Sequence, residues 1–110
     1  MNLMGEANYI QGIFLDSIFF NEDNGFSIGT VLVTEYQCNE EQLKLAYKSV
    51  DEKVIDTLGL NDKEEHHKIT VSGYFPKLVS HKTYRFNGSL TQHPKYGWQF
   101  QATSYDSVTV

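Results

Sequence analysis

Two segments reverse the chain between aromatic strands: Phe19-Phe20-Asn21-Glu22-Asp23-Asn24-Gly25-Phe26-Ser27-Ile28 and His93-Pro94-Lys95-Tyr96-Gly97-Trp98-Gln99-Phe100. In the first, Asn24-Gly25 supplies residues that tolerate positive φ, so the chain turns tightly between two β-branched and aromatic runs. In the second, Pro94 fixes φ early in the loop and Gly97 releases it at the exit. A chain pinned by hairpins at both ends is constrained to antiparallel sheet over most of its length.

The runs around these turns are strand-like. Tyr9 to Asn21 is apolar with Gly12 inside it, which suits a long first strand that bends or bulges. Phe26, Ile28 and Leu32 alternate with Ser27, Gly29, Val31 and Val33 in a second. A third covers Lys68–Tyr74 and stops before Pro76. In a fourth, Tyr84 to Thr91, the residues Tyr84, Phe86 and Leu90 share one face and Arg85, Asn87, Ser89 and Thr91 the other. Trp98, Phe100 and Ala102 alternate with Gln99, Gln101 and Thr103 in a fifth. Tyr84 and Phe86 are core candidates.

Between strands two and three the period changes. Leu43, Tyr47, Val50, Val54 and Leu58 recur at spacings of three and four, which predicts one helix over 40–58. Asn39 is placed to cap it, Gln42 completes a capping box, and Gly59 stands at the left-handed stop. The apolar stripe either plugs a barrel or docks elsewhere. The expected fold class is all-β with one inserted helix, a five-stranded antiparallel barrel of the oligonucleotide/oligosaccharide-binding (OB) type. The expected layout is a flexible N-terminus at 1–8, one barrel domain at 9–106 with an enlarged connection at 35–67, and a tail at 107–110.

With 110 residues, one domain is the expectation. Cys38 is the one cysteine, so neither an intrachain disulfide nor a cysteine-based zinc site can form. His66-His67 with Glu64-Glu65 invites a metal reading, but adjacent histidines in extended chain point apart, and none is expected. No apolar run reaches the ~20 residues of a membrane span, and Met1–Asn8 lacks a basic n-region, which predicts a cytoplasmic protein with no membrane contact. Asn87-Gly88-Ser89 matches a glycosylation sequon and is read as strand chemistry. No nucleophile, base and orienter set is recognisable, so no catalytic residue is expected.

The net charge is −5, which argues against tight polyanion binding. Its distribution is uneven, because residues 66–110 hold Lys68, Lys77, Lys82, Arg85 and Lys95 against Asp106 alone. A single-strand contact would therefore use the C-terminal half: Lys68, Tyr74, Arg85, His93, Lys95, Tyr96 and Trp98 are its candidates, cations for phosphate and rings for bases. The competing reading packs Tyr96 and Trp98 into the turn and barrel end. A docking module would instead present Lys44, Lys48 and Asp51 on the exposed helix face.

The NEDNG hairpin, the strand exit Thr70-Val71-Ser72-Gly73-Tyr74-Phe75-Pro76 and the His93–Gly97 turn, in this order, resemble the N-terminal domain of bacterial RecD-like ATP-dependent DNA helicases, related to the alpha subunit of exodeoxyribonuclease V. The resemblance implies a small barrel ahead of a superfamily 1 motor that moves 5′ to 3′ on single-stranded DNA in repair or recombination. It departs from the usual pattern in the long segment Glu35 to His67. No Gly-x-x-x-x-Gly-Lys-Ser/Thr loop is present, so ATP and Mg²⁺ are implied for the parent protein and no cofactor for these residues. The implied partners are the parent's remaining domains, single-stranded DNA, or a replication or repair protein. Net charge and the acidic first loop favour docking. A stand-alone OB module for single-stranded nucleic acid, protein or oligosaccharide is the alternative.

Overall fold

Side-chain alternation and the two turns build long strands. The computed structural model describes residues 8–109 and contains β1 (Tyr9–Phe20), β2 (Phe26–Gln37), α1 (Glu40–Ala46), β3 (Lys48–Ser49), α2 (Glu52–Leu58), β4 (His67–Tyr74), β5 (Thr83–His93) and β6 (Gly97–Ser107). The expected flexible N-terminus lies outside the described residues except for Asn8, whose carbonyl accepts from the Gly88 N–H at 3.1 Å. Val110 of the expected tail also lies outside them.

The sheet runs β2-β1-β5-β6-β4, and pairing of β2 with β4 closes it into a five-stranded barrel, with β3 outside on β4. A three-strand meander followed by a hairpin, with β4 also paired in parallel with β6, is the OB fold. Strong coiling comes from bulges. Register shifts interrupt β1 against β2 at Gln11/Gly12, Phe14/Asp16 and Ser17/Phe19. Gly12 is needed where the first of these brings backbones together, because a Cβ there would collide with the Leu32 carbonyl.

Inward residues fill the barrel: Ile10, Phe14, Val31, Ile69, Val71, Phe75, Tyr84, Phe86 and Phe100 are all buried. On β6 a bulge between Ala102 and Ser104 resets the alternation, so Trp98, Phe100 and Ala102 face inward before it and Tyr105 after it. From α1, Leu43 and Ala46 join the core and cover one end of the barrel.

The first hairpin turns differently from expectation. Only Gly25 has positive φ, +78°, while Asn24 acts through its side chain, its Oδ1 accepting from the Phe26 N–H at 2.9 Å. Asn21 closes the loop, accepting from Gly25 N–H at 2.7 Å and donating to the Phe26 carbonyl at 2.9 Å.

The single helix over 40–58 is also corrected. Asn39 caps α1 and Gly59 ends α2 in the left-handed conformation, as expected, but the segment breaks between them. Tyr47 turns extended, Lys48 and Ser49 pair with Lys68 and His67, and the Tyr47 ring stacks on His67 at 4.3 Å and 8°. The open edge of β4 offers hydrogen bonds to a stretch of low helix propensity, and Asp51 then caps a fresh helix by accepting from the Lys53 N–H at 2.8 Å. Among the described residues no helix is long and apolar enough to cross a membrane.

Candidate nucleic-acid interface

Because Ile69 and Val71 point into the barrel, Thr70 and Ser72 point out of it, and the same logic turns Phe26 and Ile28 of β2 and Gln99 and Gln101 of β6 to one outer face. These side chains floor a groove of about 670 Å³. Ile18 and Phe19, at the end of β1, wall one side, and Thr91, Gln92, His93, Pro94 and Tyr96 of the β5–β6 hairpin wall another. Lys48 of β3 enters at the edge, its Nζ donating to Thr70 Oγ1 at 3.0 Å.

The chemistry of this surface differs from that of the chain as a whole. Among the described residues lining it there is one lysine and no carboxylate, although the chain carries 14 acids against 9 bases. Glu22 and Asp23 are exposed at the β1–β2 turn and do not line the groove. Amides, hydroxyls and the rings of Phe19, Phe26 and Tyr96 dominate, a set that can stack bases and hydrogen-bond their edges.

The β5–β6 turn is held rigid by His93, whose Nδ1 accepts from the backbone N–H groups of Lys95 at 3.1 Å and Tyr96 at 3.2 Å. The Tyr96 ring, 68% exposed, lies 4.8 Å from the imidazole, with Lys95 Nζ 5.5 Å from its centroid.

Of the expected nucleic-acid contacts, His93 and Tyr96 line the groove and Lys95 adjoins it within the same turn. Lys68 lies on β4 directly opposite Lys48. Tyr74 is exposed beside the groove, edge-on to Phe26 at 5.4 Å, and borders a smaller hollow with Phe20, Phe75 and Pro76. Trp98 packs against the core. Arg85 lies apart, engaged with Tyr9, Gln11 and Glu35. The three expected docking residues do not share a role: Lys44 pairs with Glu40 at 3.3 Å, Asp51 caps α2, and Lys48 belongs to the groove.

Sequence reasoning missed Phe19, Phe26, Thr91, Gln99 and Gln101 as lining residues. Alternation on the fifth strand already placed both glutamines opposite Phe100, so a signal for them existed. Under the inserted connection, burial pushes the Cys38 thiol and the Tyr47 phenol above their ordinary pKa ranges.

No solved structure gives a significant match to the chain. The barrel order is nevertheless that of an OB fold, and a sequence-family model of that fold matches the chain. The model for the OB-fold domain of the ATP-dependent DNA helicase YrrC matches residues 7–109, and the chain belongs to that family.

Proposed function

We propose that this domain is a non-catalytic accessory module of a RecD-like, superfamily 1 DNA helicase acting in bacterial repair or recombination, and that single-stranded DNA runs through the groove. The observation that supports this is the charge contrast: in an acidic chain, the described residues lining this concave face include exposed rings and no carboxylate. Desolvating a phosphate backbone against carboxylates would be repulsive, whereas rings and amides accept bases with little sequence preference. ATP and Mg²⁺ are assigned in this reading to the motor of the implied parent; among the described residues the groove lining holds no carboxylate.

Docking on the parent's other domains or on a repair protein has less support. Leu45 of α1 is 65% exposed, but Lys44 and Asp51 are occupied by local partners.

The test is a fluorescence-anisotropy titration of labelled oligothymidylate at low and moderate salt. Saturable binding that weakens with salt is expected. Absence of binding at low salt, where electrostatic attraction is least screened, would overturn the single-strand reading and return attention to docking.

A further inference from the structure

The inserted connection does more than cover one end of the barrel, because β3 sets Lys48 directly opposite Lys68. Directly opposed residues of an antiparallel pair project to the same face of the sheet. That face is the groove's: Lys68, Thr70 and Ser72 alternate together along β4, and Thr70 and Ser72 line the groove. Among the described residues neither ammonium has a carboxylate within ion-pair distance. The Thr70 hydroxyl accepts from Lys48 but does not neutralise it. Like charges facing each other cost stability, and the opposition is relieved when an anion lies between them.

We infer that the Lys48–Lys68 pair is the phosphate subsite of the groove. This rests on the single-strand reading above and adds where the backbone lies. The phosphates pass the β3 end, and the bases turn toward Phe26, Tyr96 and the amides of Gln99 and Gln101. A paired cation beside exposed rings fits a nucleic-acid strand, which carries anion and π-face at fixed separation, better than it fits an acidic peptide. The connection between β2 and β4 is then part of the ligand surface.

The test compares Lys48→Gln, Lys68→Gln and, as a control on exposed α2, Lys53→Gln, using labelled oligothymidylate across a salt series with thermal unfolding alongside. Each groove variant is expected to weaken binding several-fold and to lower the slope of log affinity against log salt by about 0.7, one single-strand phosphate contact. Unfolding temperature should hold or rise, since a repulsion has been removed, and Lys53→Gln should behave as wild type. Wild-type binding with unchanged slopes in both groove variants would overturn the subsite while leaving the single-strand reading intact, provided Tyr96→Ala still weakens binding. Wild-type protein that fails to bind at low salt would overturn both.

Discussion

The guanidinium of Arg85 lies 4.1 Å from the centroid of the Tyr9 ring, and the same side chain donates to Gln11 Oε1 at 3.0 Å and to Glu35 Oε2 at 3.2 Å. One cation thus ties β5 to β1 and β2. Its donors are directed to partners within the barrel wall, away from the groove. Arg85→Ala should lower stability by about 1–2 kcal/mol through lost packing, stacking and hydrogen bonds. Oligothymidylate affinity should stay at the wild-type value; a large loss of affinity in a folded Arg85→Ala protein would extend the binding surface to that side.

Tyr96→Ala separates platform from core. The ring is mostly exposed, so unfolding temperature should change little, while loss of one stacking surface should weaken single-strand binding by about 1–3 kcal/mol. Trp98→Ala should behave in reverse, destabilising the fold because the indole packs against the core. Equal effects of the two substitutions on stability would contradict these placements.

The broken helix has its own test. Asp51→Ala should cost about 1 kcal/mol, because the carboxylate caps α2 at 2.8 Å. In one continuous helix the same change would replace a poor interior residue with the best helix former and raise stability. The sign of the change in chemical denaturation decides between the two geometries.

Cys38 should react slowly. Burial raises its thiol pKa, so at neutral pH its thiolate fraction is below that of an ordinary cysteine and alkylation by iodoacetamide should lag a free thiol. For stability the sign follows from the raised folded value. The contribution is full below the unfolded thiol pKa and is lost as pH rises through the folded one. Cys38→Ser should flatten that alkaline decline.

Phe86 and Phe100 are fully buried, and Phe86→Ala should cost ~3–5 kcal/mol, a large part of the ~5–15 kcal/mol typical of a domain. Circular dichroism during denaturation would show it as a large drop in midpoint.

How much of this was legible depended on whether a residue's role was local. Barrel strands, the Asn39 and Gly59 caps, and Tyr84 and Phe86 as core followed from period and turn chemistry, which act over a few residues. The split at Tyr47–Val50 did not, because it is decided by the open edge of β4 and by the stack of Tyr47 on His67, partners remote in sequence. Lys48 was assigned to a helix face for the same reason. Arg85 was counted as a free cation because its partners Tyr9, Gln11 and Glu35 lie on other strands. His93 lines the groove as expected, but the bracing of the turn by its Nδ1 was not foreseen.

Barrel closure between β2 and β4 also bears on the order in which the molecule assembles. These neighbours in the sheet are joined through residues 38–66, so their pairing must close a long loop before it gains any contact. Two short helices, each with its own cap, gather that loop into a smaller span and reduce the chain entropy lost at closure. The caps at Asn39 and Asp51 therefore bear on how fast the barrel shuts as well as on how firmly it stays shut.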